Sequence, residues 1–249
     1  MLLDFERLKA RAKPAVIAHR GLAVAATENT QEAFEAAITA AADGIECDIR
    51  RTRDGIMVIH HDDTVGDSRE AIADLGFEAV IRLAEAAGYI IPTLEETLER
   101  CRDRVALDLE LKERGYEGDV VDLALKYYRR NNIIFTSFSQ KSLKAIRRHF
   151  PAALTGLLLH GGSNPRTFWE MLRRHAPGRE PSGNLILPHW RLLQPGWLKL
   201  MPIDRRAIIP WTVNDRSLAE RLIGQGAAAV ITDRPDLMGD LAAPPDRSE

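Results

Sequence analysis

Four short clusters in the sequence carry side chains suited to chemistry on an anionic substrate. Glu46 and Asp48 stand two apart in the apolar run Gly44-Ile-Glu-Cys-Asp-Ile49. Side chains alternate along a strand, so both carboxylates share one face. Two like charges inside an apolar run are costly unless a cation joins them. A second run, Val105 to Leu111, places Asp108 and Glu110 in one phase, with Lys112 next in that phase. Glu46, Asp48 and Glu110 together form an oxygen-only donor set, which suits Mg²⁺ or Ca²⁺ rather than zinc. Asp108 is not counted among these three. The competing reading is that the carboxylates pair with interior lysines and arginines. His19-Arg20-Gly21 follows the first apolar run directly. A histidine there could move a proton and an arginine could hold a phosphate oxygen; the plainer roles are a capping His and a surface Arg. His60-His61-Asp62 closes a further run. Adjacent strand residues face opposite ways, so only one of the two histidines can serve a site.

These clusters need a scaffold that gathers strand ends. The chain has 249 residues, which suits one (β/α)8 TIM barrel of about 250 residues. Nine apolar runs read as strands, starting at Ala15, Gly44, Met57, Val105, Ile133, Leu154, Asn184, Ala207 and Ala227. Continuous apolar runs are what strands covered on both faces look like. Nine is one too many for the barrel. The second and third runs are joined through Asp54-Gly55, a hairpin signal, and a parallel crossover needs a dozen or more residues. The Met57 run is therefore an added antiparallel strand.

A two-residue turn at Asp54-Gly55 sets Ile49 opposite His60 and Asp48 opposite His61. Opposed residues share a face, so this register aims His61 at the carboxylates and His60 away from them. Residues 63–90 form a short insertion with one helical piece, Phe77 to Ala87. Asn29 with Glu32 reads as a capping box, and Pro92 opens a helix with an acidic first turn. Gly161 and Gly162 belong to a turn after a strand. The whole chain, 1–249, reads as a single barrel domain with a frayed tail over 242–249.

The 34 Lys+Arg against 36 Asp+Glu give a net charge of -2, so the basic excess of a nucleic-acid binder is missing. Cys47 and Cys101 make neither a disulfide framework nor a zinc cluster. The N-terminal stretch has no apolar leader core, and no run approaches the length of a membrane span. The expectation is a cytoplasmic protein without a membrane span.

The motifs His19-Arg20-Gly21, Glu28-Asn29-Thr30, Glu46-Cys-Asp48, Asp54-Gly55 with His61-Asp62, Pro92-Thr-Leu-Glu-Glu96, Glu110-Leu-Lys112, Ser137-Phe138, Trp211-Thr-Val-Asn214 and Thr232-Asp-Arg-Pro235 follow one another in an order that resembles the glycerophosphodiester phosphodiesterases. The resemblance covers nearly the whole chain. It implies a barrel that hydrolyses small-molecule glycerophosphodiesters to sn-glycerol 3-phosphate and an alcohol with a divalent metal, Mg²⁺ or Ca²⁺. It implies that His19 and His61 are the acid/base couple, that Glu46, Asp48 and Glu110 hold the metal, and that Arg20 and Lys112 hold phosphate. Trp211 either lines the substrate pocket or fills the barrel top. Thr64-Val-Gly-Asp67-Ser68 departs from the family pattern at the mouth of the site, which leaves the alcohol group open. Alternatives are a lysophospholipase D-like phosphodiesterase and, in another class, a metal-dependent barrel lyase or isomerase; the two-histidine arrangement argues against the latter.

Overall fold

The computed structural model describes residues 2–11, 13–160, 185–193 and 207–241. The expected tail over 242–249 and the turn at Gly161 and Gly162 lie outside the described residues. The described residues form nine strands: β1 (Ala15–His19), β2 (Gly44–Arg51), β3 (Met57–Ile59), β4 (Ala106–Leu111), β5 (Ile133–Ser137), β6 (Thr155–Leu159), β7 (Leu185–Pro188), β8 (Ala207–Ile208) and β9 (Ala229–Thr232). Eight run parallel in the order β8-β7-β6-β5-β4-β2-β1-β9, and β3 pairs only with β2. Backbone hydrogen bonds from Ala228 to the Ile208 carbonyl, from Ile231 to that of Pro210 and from Val213 to that of Ile231 join the two ends of this order. The fold is thus an eight-stranded α/β barrel with one added hairpin strand, as the sequence implied.

Alternation along each strand separates two apolar layers. Ile45, Cys47, Ile49, Leu107 and Leu109 point outward and pack with Phe34 of α1 (Gln31–Thr39) and Leu94 and Leu98 of α3 (Leu94–Cys101). Ala15, Ile17, Ala106, Ile134, Ala229 and Ile231 point inward, where Leu3, Phe5 and Leu8 of the N-terminal segment close the bottom of the barrel. Continuing the inward phase toward the strand C-termini gives His19 on β1, Glu46 and Asp48 on β2, and Asp108 and Glu110 on β4. The apolar plug lies below and the polar groups lie above, at the end where the loops of this fold carry chemistry.

The hairpin departs from its expected register. Ile49 pairs with Ile59, Arg50 with Val58 and Arg51 with Met57. Thr52 donates to the Ile56 carbonyl at 2.9 Å, which leaves a three-residue loop, 53–55. A two-residue turn of the Asp-Gly kind needs positive φ at both positions. Only Gly55 takes it, at +91°. The Asp54 carboxylate is held instead by the Thr52 hydroxyl at 2.5 Å and by the backbone N–H of Phe77, which opens α2 (Phe77–Ala86). This tertiary tie selects the longer loop. The far edge of β3 is covered by the stretch before α3, where Ile59 donates to the Pro92 carbonyl.

The insertion carries the expected helix α2 and a small apolar core of its own: Val58, Val65, Ile72, Val80, Ala84 and Ile91. The capping box lies at the start of α3, between Thr93 and Glu96. At α1 the cap is Thr30, whose side chain accepts from the Ala33 N–H, and Asn29 is freed for another role. Gly21, at φ +86°, lets the first loop lie against α1; a Cβ there would sit 2.7 Å from the Ala33 backbone.

Candidate active site

The parallel register β2–β4 sets Asp48 beside Glu110 and Glu46 beside Asp108. Glu46, Asp48 and Glu110 are all buried and offer ligand oxygens within 4.8 Å of one another. The three predicted ligands are therefore gathered at one point. Burial, reinforced by Asp48 and Glu110, pushes the Glu46 carboxyl well above its usual range. Burial also raises Glu110, to about 7. Asp48 resists the same burial because Lys112 and Arg20 lie against it, and it is held at about 2. Lys112 Nζ stands 2.9 Å from both Asp48 Oδ1 and Glu110 Oε1. Arg20 Nε lies 3.1 Å from Asp48 Oδ2, an ion-pair distance without hydrogen-bond alignment, while its Nη1 reaches Glu28 at 2.7 Å. The two predicted phosphate-binding cations thus sit directly on the carboxylate cluster.

Asp108 stands beside Glu46 on the neighbouring strand. It is fully buried, accepts from the Thr136 hydroxyl at 2.6 Å and is pushed by burial to about 8. Its other oxygen has no hydrogen-bond partner. Asp108 is not among the three carboxylates whose oxygens converge.

His19 closes β1 with Nδ1 2.6 Å from Asp233 Oδ1 and Nε2 3.9 Å from Glu46 Oε2. Burial opposes ionisation of Asp233, yet the contacts from His19 and Asn214 outweigh it and hold the carboxyl below its usual range. An ionised carboxylate only accepts hydrogen bonds, so His19 Nδ1 carries the proton and Nε2 faces the carboxylate cluster. Asn214 grips the same Asp233 twice: its side-chain NH₂ donates to Oδ2 at 2.6 Å, and its side-chain oxygen accepts the Asp233 N–H at 2.9 Å.

His61 reaches the site by a route different from the expected one. In the observed register His60, not His61, stands opposite Asp48, and its N–H donates to the Asp48 carbonyl at 2.9 Å. The chain then leaves the ladder. Arg50 holds the His61 carbonyl with Nε at 2.9 Å and Nη2 at 2.7 Å, and is itself paired with Glu113. The His61 ring lines an open cavity of about 400 Å³ together with Glu110, Lys112, Phe138 and His160. Partial burial, with Lys112 and Arg20 nearby, lowers its pKa. Its Nδ1 lies 2.7 Å from Asp62. His60 turns its ring away, toward the Thr64 carbonyl at 3.0 Å and a stack on Tyr89.

Trp211 stands at the barrel top. Its indole N–H donates to the Leu187 carbonyl at 2.7 Å, and its ring meets Phe138 edge-on at 5.6 Å. Phe138 in turn stacks on His160 at 3.9 Å and lines the cavity, so Trp211 buttresses the aromatic wall.

Three contributors escaped the sequence reading. Asn29 is not the cap: its side-chain NH₂ donates to Asp48 Oδ2 at 2.7 Å and its side-chain Oδ1 accepts the Asp48 N–H at 3.3 Å. Asp233 continues the inward phase of Ala229 and Ile231, a signal that was readable by counting in twos. Arg50 shares its phase with Glu46 and Asp48, but nothing in the sequence points to the His61 carbonyl as its partner.

The profile of the glycerophosphoryl diester phosphodiesterase family matches residues 19–237. The chain belongs to this family. It is 32% identical over 246 residues to the glycerophosphodiester phosphodiesterase of Caldanaerobacter subterraneus subsp. tengcongensis, covering 92% of this chain and 98% of that protein. It is also similar to human glycerophosphodiester phosphodiesterase 1, at 32% identity over 189 residues, covering 66% of this chain and 57% of the human protein. Among solved structures it resembles an Oleispira antarctica phosphodiesterase in complex with the product sn-glycerol-3-phosphate, with TM-score 0.77, 25% identity and coverage of 92% and 96% of the two chains. A Thermotoga maritima glycerophosphodiester phosphodiesterase gives TM-score 0.72 at 26% identity, with 91% and 97% covered. This family chain is an enzyme of the phosphoric diester hydrolase class, which sets aside the barrel lyase or isomerase alternative.

Proposed function

We propose that this enzyme hydrolyses glycerophosphodiesters to sn-glycerol 3-phosphate and an alcohol, with a divalent cation at Glu46, Asp48 and Glu110 and with His19 and His61 as the proton couple. The observation that carries this reading is the charge balance at the barrel mouth. Three buried carboxylates face two cations, Arg20 and Lys112. A phosphodiester would bring a further negative charge to the same point. Burial has already raised Glu46 and Glu110, so the donor set fits a hard divalent ion that lets them ionise. Such an ion would supply charge neutralisation and polarisation of a phosphoryl oxygen.

The residues of the chain account for the rest. Arg20 and Lys112 bind the nonbridging oxygens and stabilise the charge that grows there. Asn29 keeps Asp48 oriented. His19, fixed through Nδ1 by Asp233, offers Nε2 to the reacting centre. His61, whose lowered pKa favours the neutral ring, is the partner across the cavity. The ring that enters neutral takes the proton of the attacking oxygen, and the other enters as imidazolium and gives its proton to the leaving alcohol.

The product held by the Oleispira antarctica phosphodiesterase, sn-glycerol-3-phosphate, supports this choice of substrate class. The lysophospholipid alternative needs an apolar rim for an acyl chain; the described cavity lining joins apolar Leu111 and Phe138 to polar Arg50, Asp62, Asp63, Lys112 and His160, so the choice between the two substrate classes falls to the assay. The deciding assay measures glycerol 3-phosphate and lysophosphatidate release from glycerophosphocholine, glycerophosphoethanolamine, glycerophosphoglycerol and lysophosphatidylcholine. Turnover of the water-soluble diesters supports the proposal; turnover of the lysophospholipid alone overturns it.

A further inference from the structure

A second cavity, of about 440 Å³, opens between the β2–β3 loop and the stretch after β4, and three arginines line it: Arg51, Arg53 and Arg114. Two carboxylates share the lining, Asp54 and Glu113. Glu113 pairs with Arg50, and Asp54, held by neutral donors, the Thr52 hydroxyl and the Phe77 N–H, leaves one negative charge against three positive ones. The arginines are less committed. Arg53 donates to a neutral carbonyl, that of Asp74, at 3.1 Å. Arg51 lies over the Tyr116 ring, donates to the Gly115 carbonyl at 3.2 Å and forms a long ion pair with Asp119 at 3.9 Å. No ion pair involves Arg114 among the described residues. The cavity therefore concentrates guanidinium groups whose charge no neighbouring carboxylate takes up by a hydrogen bond.

We propose that this cavity is a second anion site, distinct from the reaction centre, that takes a small phosphoryl dianion. Guanidinium groups present planar, bidentate donors matched to phosphate oxygens. A volume near 440 Å³ falls within the range of small-ligand pockets. Arg51 neighbours Arg50 on β2 but points to the opposite face, and the Arg50–Glu113 pair stands between this cavity and His61. The site would therefore fill independently of the metal, and it does not rest on the proposed reaction.

The test is calorimetric titration of the full chain with inorganic phosphate, for the native protein, Arg53→Gln/Arg114→Gln and Lys112→Met. The native protein is expected to show two classes of phosphate site. The double variant should weaken one class about tenfold, the loss of two exposed charge contacts, while its thermal midpoint and its turnover stay unchanged. Lys112→Met should weaken only the other class. A double variant that binds phosphate as the native protein does would overturn the proposal. So would loss of all phosphate binding in Lys112→Met, which would place every phosphate at the reaction centre.

Discussion

Replacing Asp233 with Asn tests whether the His19 ring is held for proton transfer. Asp233 is joined to His19 Nδ1 at 2.6 Å and keeps the proton on that nitrogen, so that Nε2 faces Glu46. An amide at this position can present its NH₂ to the ring and favour the other tautomer, or accept only a neutral hydrogen bond. The native bond, already charge-assisted by the Asp233 carboxylate, becomes a full ion pair when His19 takes up a proton. Bonds to charged groups contribute about 1.5–3 kcal/mol. The Asp233 side chain is 34% exposed, so solvent screening favours the lower half of that range. A loss of about 2 kcal/mol in the transition state is about 30-fold in kcat. KM should change little, because Asp233 is hydrogen-bonded to His19 and Asn214 and to neither of the groups proposed to hold phosphate, Arg20 and Lys112. The assay is glycerol 3-phosphate release, with circular dichroism to check the fold. Asp233→Glu should recover part of the rate, since it restores a carboxylate acceptor. Native kcat in Asp233→Asn would refute the positioning argument.

Two further outcomes follow from the site. His61→Ala should lower kcat by about 100-fold with an unchanged thermal midpoint, whereas His60→Ala should lower the midpoint, through loss of the Tyr89 stack and the Thr64 contact, and spare kcat; the reverse pattern would exchange their roles. The metal-free protein should also respond to pH in two directions. The folded-state values of Glu110 and Asp108, about 7 and about 8, lie above the ordinary carboxyl range. Their contribution is fully present below that range and is lost as pH rises through 7 and 8. Asp48 is depressed to about 2, so its contribution is present above about pH 4 and is lost as pH falls toward 2. Thermal midpoints should therefore peak near pH 4–5 in chelator, and Ca²⁺ or Mg²⁺ should flatten the fall above pH 5. A midpoint that rises steadily from pH 5 to pH 8 without metal would contradict the assignment.

Much of this site was legible from side-chain alternation. Glu46 and Asp48, then Glu110 and Lys112, could be placed on inward faces because each pair stands two apart within an apolar run. The barrel followed from the recurrence of such runs and from the one connection too short to be a crossover. What alternation could not supply was the hairpin register, because the Asp54 carboxylate is claimed by the Phe77 N–H, a contact made across the insertion. One residue of slip exchanges the strand faces of His60 and His61. His61 still faces the cavity because the strand ends after Ile59 and Arg50 grips the His61 carbonyl. His61 thus lines the cavity beside Glu110 and Lys112 for a reason outside the turn, and the place opposite Asp48 expected of it falls to His60. Asn29 and Asp233 were visible in the motif series, but their partners, Asp48 and His19, lie 19 and 214 residues away, distances that only the folded chain closes.

The most direct test of the central claim is turnover by purified enzyme stripped of metal with EDTA and exchanged into chelator-free buffer. No release of glycerol 3-phosphate from glycerophosphodiesters is expected, with recovery on adding Mg²⁺ or Ca²⁺ and no recovery for Glu46→Gln, Asp48→Asn or Glu110→Gln. Native turnover by the stripped enzyme would mean that Arg20 and Lys112 suffice to neutralise the substrate, and that the three carboxylates hold those cations rather than a metal.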